Sequence, residues 1–343
     1  MKEMSKVKVY QKKSITSIKN EQYLLSKLRH PFMINMLYSF QDPQNLYIVL
    51  DYLPGGDLRF HLSRYKHFSE DISKFIVCNI ILILDYLRNK GVIHRDVKPE
   101  NLVFDVNGFI HLTDFGIAHE TDSTVHNDTS GTPGYMAPEV LLNKPHTFTA
   151  DYYAVGVIAY ELLYGHRPYR GKSRKEIMDE MFSKEIKLNP DNMPQKWDPS
   201  ACDFITRLLK RKPKERLGSR LGIKELKMHP WLIGVQWELM EKKEVETPYK
   251  PEIGDNFDQK YANKEDKVTS PNGDYSEILY KLNSSKVFDG FDYNYFEDGI
   301  NNKQLVDDTN NHSQKPFYHK KSFSTLSYNT GIDSDIGFDK TNM

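Results

Sequence analysis

Cysteine is scarce in this chain: among 343 residues, only Cys78 and Cys202 occur. Two thiols cannot support a disulfide scaffold, and a structural zinc site built on thiolates is not expected either. An excess of charge is also lacking, because 47 basic side chains balance 47 acidic ones. We therefore do not expect a protein that binds nucleic acid through a strong overall positive field, and we expect no nucleic acid among the partners.

Long apolar runs are missing as well. The longest stretch, from Phe75 to Leu84, is interrupted by Asn79 and falls short of the roughly 20 residues that a membrane-spanning helix needs. It predicts a buried helix instead. The N-terminal sequence MKEMSKVKVYQKK has no apolar segment of the kind found in signal peptides. We expect no membrane span and an intracellular, cytoplasmic location, with the nucleus left open.

Composition divides the chain into three stretches. Residues 1–240 are dense in apolar side chains, residues 241–300 are mixed, and residues 301–343 are rich in Asn, Ser, Asp and Lys. The last stretch has too few aliphatic side chains to offset the entropy of ordering, so we predict that it is disordered. At about 150 residues per domain, the length suits two domains or one two-lobed unit with a tail.

Hydrophobic periodicity predicts a few strands followed mainly by helices. A helix is predicted over 13–29, and the turn-like DPQN separates two strands over 36–40 and 46–52. Asn107-Gly108 predicts a hairpin turn. The remaining elements are strands over 102–104 and 110–112 and helices over 57–65, 69–90, 150–165, 173–182, 199–210 and 222–228. Strands and helices that segregate along the chain indicate an α+β fold.

Three short motifs carry the chemistry. They are HRDVKPEN at 94–101, DFG at 114–116 and APE at 137–139, and they occur in this order. Together they resemble the signature of protein kinases. The resemblance implies a bilobal kinase domain over 1–232, with a small β lobe over about 1–52 and a large helical lobe over about 53–232.

The residue types in these motifs suit phosphoryl transfer, which needs positioning and charge neutralisation more than covalent chemistry. Asp96 can accept the proton of an attacking hydroxyl, and Lys98 can reach the transferring phosphate. Asn101 and Asp114 offer hard oxygens that Mg²⁺ prefers. A lysine at position 98 is typical of serine/threonine kinases. The resemblance also assigns Glu139 and Arg216 to a structural ion pair.

Several further segments resemble the AGC group of serine/threonine kinases and, within it, the YANK kinases. The matching segments are YLPGGDL at 52–58, GTPGYMAPE at 131–139, HPWL at 229–232, YKPEIGDNFD at 249–258 and FDGFDY at 288–293. The resemblance implies an AGC-type C-terminal tail over 233–300. It also implies ATP and Mg²⁺ as cofactors. The nucleotide-binding residues that it implies are Lys2, Glu21, Leu50, Asp51, Leu53, Asp57, Glu100, Asn101, Val103 and Asp114.

Lys2 and Glu21 are assigned by position. In the family, a phosphate-anchoring lysine lies about nineteen residues before its glutamate partner, and these two residues are 19 positions apart. A lysine beside a free N-terminus could instead be mobile and solvated. The family's glycine-rich loop, G-x-G-x-x-G, does not occur in this sequence and would lie before Met1. We therefore expect an N-terminally truncated chain that binds ATP weakly, with a catalytically impaired, kinase-like scaffold or regulator as the alternative function.

The resemblance also predicts substrates and regulation. In basophilic kinases of this group, carboxylates bind the substrate arginines that precede the target residue, and the matching positions here are Asp57, Glu100 and Glu161. We therefore expect substrates with basic residues near the target Ser or Thr. We also expect the protein to be a monomer. These three carboxylates could equally be solvated surface groups. An upstream kinase is a further expected partner. Candidate regulatory residues are Arg95, Asp128, Thr129, Ser270, Phe288, Phe291 and Asp292.

Two of these regulatory assignments have explicit alternatives. Arg95 is expected to dock a negative charge on the activation loop, supplied either by the Asp128 carboxylate or by a phosphate on Thr129. Ser270 resembles the proline-directed site of the tail. Phe288 and Phe291 are expected to fold back onto the small lobe, with Asp292 in the place of a phosphoserine, although aromatics of a disordered linker could match this motif by chance.

Overall fold

The computed structural model describes residues 1–120, 129–193, 197–254 and 275–302. The chain through Asn301 forms one unit, and the α+β prediction is confirmed. Asp128, Ser270 and the stretch from 303 onward, most of the segment predicted to be disordered, lie outside the described residues. Among the described helices, none has the length and apolar character needed to cross a bilayer.

The small lobe is built on an antiparallel sheet of four strands. The strands are β1 (Lys2–Ser5), β2 (Met36–Gln41), β3 (Asn45–Leu50) and β8 (Tyr293–Asn294), in the spatial order β1-β3-β2-β8. Leu46 and Ile48 of β3 are fully buried, as expected for alternate residues on one face of a strand. Strand β8 comes from the C-terminal segment and pairs with β2, so the tail covers an edge that would otherwise be unpaired.

Two helices pack beside this sheet, where the sequence predicted one. They are α1 (Lys6–Gln11) and α2 (Ile15–Lys27). Lys13 between them has a φ of 54°, a left-handed conformation that ends the first helix. Helix α2 buries Ile18, Leu24 and Leu25, together with Glu21. The predicted helix over 13–29 is therefore confirmed, and α1 is an addition to it.

The large lobe is mainly helical. Its helices are α3 (Leu58–Tyr65), α4 (Glu70–Asn89), α5 (Pro138–Leu141), α6 (Thr149–Tyr164), α7 (Arg174–Ser183), α8 (Pro199–Leu208), α9 (Ile223–Lys227) and α10 (Trp237–Glu241). Its short strands are β4 (Val92–Ile93), β5 (Leu102–Phe104), β6 (Ile110–Leu112) and β7 (His119–Glu120). Helix α6 is buried on all sides from Ala150 to Leu163, so it forms the centre of the lobe.

The chain beyond α10 returns to both lobes. Helices α11 (Ser276–Ser284) and α12 (Tyr295–Asn302) flank β8. Earlier in this segment, Thr247 Oγ1 donates to Asn107 O at 2.6 Å. Gly108 in the same turn has a φ of 95°, and a Cβ there would lie 1.9 Å from Tyr249 O. The predicted hairpin turn therefore needs glycine both for its own conformation and for the close approach of the tail.

Arg216 and Glu139 form the buried ion pair that the resemblance implied. The guanidinium donates to both carboxylate oxygens at 2.7 and 2.9 Å, and the two side chains are 0% and 4% exposed. Arg216 also donates to the carbonyls of Thr149 and Lys210. One side chain thereby connects the APE segment, the start of α6 and the loop after α8.

We predict that Glu139→Ala lowers the free energy of unfolding by about 3–5 kcal/mol, because it leaves the Arg216 guanidinium buried without a counter-charge. Urea denaturation measures this change. The matched control is Lys212→Ala, which removes an exposed ion pair with Glu215 and should change stability by less than about 0.5 kcal/mol. Equal effects of the two substitutions would contradict a structural role for the buried pair.

Candidate active site

The Asp96 carboxylate is held by donors from two segments of the chain. Lys98 Nζ donates to Oδ2 at 2.6 Å, and Asn101 Nδ2 donates to the same oxygen at 3.2 Å. The backbone N–H and the hydroxyl of Thr132 donate to Oδ1 at 3.0 and 2.7 Å. Burial alone would raise the pKa of Asp96, but the bonds from Lys98 and Thr132 outweigh it and lower this pKa. The carboxylate is therefore ionised and fixed in direction.

The loop that carries Asp96 is anchored to α6. Both carboxylate oxygens of Asp151 accept backbone N–H groups, from His94 at 2.9 Å and from Arg95 at 2.8 Å. Arg95 has a φ of 68°, an unusual conformation for a non-glycine residue that this anchoring maintains. The His94 ring packs edge-on against Phe115 with centroids 5.0 Å apart. Burial lowers the pKa of His94, which favours the neutral form of the ring.

Asn101 and Asp114, the two predicted metal ligands, have oxygens available for a cation. The amide nitrogen of Asn101 also donates to Asp96 O at 2.9 Å, which turns the amide and sets the direction of its oxygen. Asp114 is exposed, has a φ of 64°, and accepts from Gly116 N at 3.3 Å. A carboxylate and an amide oxygen beside the catalytic loop fit Mg²⁺, which binds few protein oxygens together with substrate phosphates. Among the described residues, no cluster of three or more His, Cys, Asp or Glu side chains suited to a metal occurs.

Lys2 and Glu21 meet as the spacing predicted. Lys2 Nζ donates to Glu21 Oε2 at 2.6 Å, from strand β1 to helix α2. The Lys2 side chain is 41% exposed, whereas Glu21 is 6% exposed. The lysine is thus held at the edge of the small lobe and is not a free solvated terminus.

Four of the predicted nucleotide-binding residues lie on the segment from the end of β3 to the start of α3. Leu50 ends β3, and Leu53 packs against the core a few residues later. Asp51 Oδ2 accepts from the backbone and side-chain nitrogens of Asn35, at 3.0 and 2.7 Å. Asp57 caps helix α3 by accepting from Phe60 N at 2.8 Å, and its backbone bridges to Val103.

Glu100 and Glu161, predicted to receive substrate arginines, are already paired within the chain. Arg59 Nε donates to Glu100 at 2.9 Å, and its terminal nitrogens donate to Glu161 at 2.9 and 3.2 Å. Arg59 also donates to the Tyr135 hydroxyl. Two of the three carboxylates therefore share one guanidinium of the chain itself, and a subsite for substrate arginines stays a prediction.

The tail docks onto the small lobe as predicted. Phe288 and Phe291 are 3% and 2% exposed, and their rings meet edge-on at 6.4 Å. The Phe291 carbonyl accepts from Gln22 at 3.1 Å and from Ser39 at 2.6 Å. Asp292 is exposed and forms no ion pair among the described residues. The nearby tail residue Asn283 accepts a hydrogen bond from Lys6 Nζ at 2.9 Å.

On the activation loop, Thr129 is half-buried and Arg95 Nε donates to Ile117 O at 2.6 Å. Asp128, the other candidate charge, lies outside the described residues. Asn20 of α2 donates to the carbonyls of Phe115 and Ala118, at 3.1 and 2.8 Å, so it joins the helix bearing Glu21 to the DFG segment.

Three contacts of the site were not predicted. Thr132 binds Asp96, Arg59 pairs with Glu161, and Asn20 connects α2 to the DFG segment. Thr132 lies inside the motif GTPGYMAPE, and Arg59 lies two residues after Asp57. Asn20 gave no signal, because an amide on a helix is usually solvated.

The Protein kinase domain family matches residues 1–232, and this chain belongs to the protein kinase family. More narrowly, its relatives are AGC-group kinases, which confirms that resemblance; the YANK assignment stays a prediction. The chain is 38% identical to the serine/threonine-protein kinase AtPK1/AtPK6 of Arabidopsis thaliana over 76% of its own length and 56% of the relative's. It is 35% identical to the serine/threonine-protein kinase sgk-1 of Caenorhabditis elegans, over 77% of this chain and 57% of the relative. It is 36% identical to the ribosomal protein S6 kinase alpha-2 of Homo sapiens, over 80% of this chain and 37% of the relative.

The chain therefore spans little more than half the length of the first two relatives and about a third of the last.

We predict that Phe291→Ala lowers the free energy of unfolding by about 3–5 kcal/mol, because it empties a buried site between the tail and the sheet. It should also reduce any phosphate transfer, since α2 contributes both Gln22 and Glu21. Phe296→Ala, at a side chain that is 53% exposed, is the matched control and should cost much less. Unchanged denaturation of the Phe291 variant would show that the tail is a bystander.

Proposed function

We propose that this chain is the catalytic domain of a serine/threonine protein kinase, which transfers the γ-phosphate of ATP to hydroxyl groups of protein substrates. The observation that carries the proposal is the ionised Asp96 carboxylate, held by Lys98 and Thr132 at the end of an anchored loop. Such a carboxylate suits the acceptance of a hydroxyl proton. Its relatives' names, which include serine/threonine-protein kinases, support the same reaction.

Each residue has a separate task in this mechanism. Asp96 orients the attacking hydroxyl and accepts its proton, and Lys98 stabilises the charge of the group being transferred. Lys2, paired with Glu21, would anchor the phosphates of the nucleotide. Protein kinases use ATP and Mg²⁺, and Asn101 and Asp114 are the residues of this chain that would hold the metal, which neutralises phosphate charge when bound.

The organisation that we propose is a kinase domain over 1–232 with lobes that meet near residue 52, followed by a regulatory tail over 233–300. The proposed regulatory residues stay those of the sequence analysis: Arg95, Asp128, Thr129, Ser270, Phe288, Phe291 and Asp292. An upstream kinase and a monomeric state remain predictions. A preference for substrates with basic residues is also a prediction. The pairing of Arg59 with Glu100 and Glu161 argues against it.

We predict that Asp96→Asn and Asp114→Ala each lower kcat/KM for a serine peptide by about 10²–10⁴-fold or more, because one removes the proton acceptor and the other a metal ligand. Transfer of radiolabelled phosphate from ATP measures the effect. Asp179→Asn on the exposed face of α7 is the matched control and should retain the native rate. Full activity of Asp114→Ala, or a native chain that transfers no phosphate to serine or threonine, would contradict the proposed function.

A further inference from the structure

A groove lined by more arginines than carboxylates lies beside the loop that carries Asp96. It encloses about 350 Å³, and Thr132, which binds Asp96, forms part of its wall. A substrate segment next to the target hydroxyl would therefore reach this groove. Three arginines line it, Arg59, Arg167 and Arg170, against two carboxylates.

Both carboxylates are already ion-paired with one of these arginines. Arg59 binds Glu100 and Glu161 at 2.9 Å each, and the Tyr135 hydroxyl joins the same cluster. An arriving arginine would have to displace a guanidinium that is tethered to the chain and already oriented. Because that internal contact needs no loss of translational freedom, it competes effectively with an external arginine.

Arg167 and Arg170 are differently placed. Neither forms an ion pair among the described residues, and Arg170 is exposed while Arg167 is half-buried. The nearby Glu180 accepts the backbone N–H of Arg170 and does not line the groove. Two guanidinium groups are thus available to an anion.

Gly134 creates the space that Arg167 occupies. A Cβ at residue 134 would lie 1.7 Å from Arg167 Nη1, so any side chain there would displace the guanidinium. The Arg167 guanidinium also lies 5.8 Å from the centre of the Tyr135 ring. The glycine in the GTPGYMAPE segment therefore places a positive charge where the substrate would pass.

We infer that this groove binds an anionic group of the substrate, a carboxylate or a phosphate carried by a residue close to the target serine or threonine. This inference rests on the proposed function. Guanidinium groups bind both anions through paired, charge-assisted hydrogen bonds, so the recognition chemistry is shared. The kinase accordingly selects acidic or previously phosphorylated sequences and not basic ones.

The test uses the full chain and labelled peptides with a single central serine. At each of the four positions on either side, the peptides carry glutamate, phosphoserine, arginine or alanine, one substitution at a time. Fluorescence anisotropy gives the Kd of each peptide. At one or more positions, we expect the glutamate or phosphoserine peptide to bind about 10-fold more tightly than the arginine peptide, as one strong charged contact allows.

Four variants assign the preference to the groove. Arg167→Ala should reduce it to about 3-fold or less, and Gly134→Ala should do the same by displacing Arg167. Arg59→Ala should increase the affinity of the arginine peptide, because Glu100 and Glu161 lose their internal partner. Arg220→Ala, at an exposed arginine in the loop before α9, is the matched control and should keep the native preference. Melting temperatures confirm that each variant is folded.

Tighter binding of the arginine peptide by the native chain would overturn the inference, as would an anion preference that Arg167→Ala leaves intact. The ratio of glutamate to phosphoserine affinity separates the two sources of the anion. Phosphate transfer to the same peptides is measured in parallel. A chain that binds acidic peptides but transfers no phosphate refutes the proposed function and not the groove, whereas transfer with a preference for arginine refutes the groove alone.

Discussion

The Asp96 carboxylate is the point on which the rest of the structure depends, because it accepts hydrogen bonds from parts of the chain that are far apart in sequence. Lys98 and Asn101 reach it from its own loop, and Thr132 reaches it across the activation segment. Asp151 fixes that loop from within the most buried helix. A buried charge is stable only when such donors surround it, so the ionised carboxylate and the position of the activation segment depend on each other.

A second chain of contacts runs from the tail to this site. Phe291 is held by Gln22 of α2, the same helix places Glu21 against Lys2, and Asn20 binds the carbonyls of the DFG segment. Helix α2 therefore contacts the docked tail, Lys2 and the DFG segment. The pairing of β8 with β2 adds backbone hydrogen bonds to the same attachment.

Much of the fold and of the central site could be predicted from the sequence, because the motif residues are close together along the chain and their chemistry is local. Lys2 and Glu21 could be paired because the family resemblance supplies the spacing that their 19 positions match. The pairing of Arg59 with Glu161 could not, because composition shows that charges exist but not which of them meet across 102 positions. Strand β8 was also missed, since two residues carry no periodicity.

Analysis of the phosphorylated amino acid tests the central claim most directly. The native chain is incubated with ATP, Mg²⁺ and a peptide mixture that contains serine, threonine and tyrosine, and the products are sequenced by mass spectrometry. Because Lys98 is hydrogen-bonded to the ionised Asp96, an arrangement that we assign to serine/threonine kinases, we expect phosphate on serine and threonine hydroxyls and none on tyrosine. Phosphate on tyrosine alone, or on no residue at all, would contradict the account.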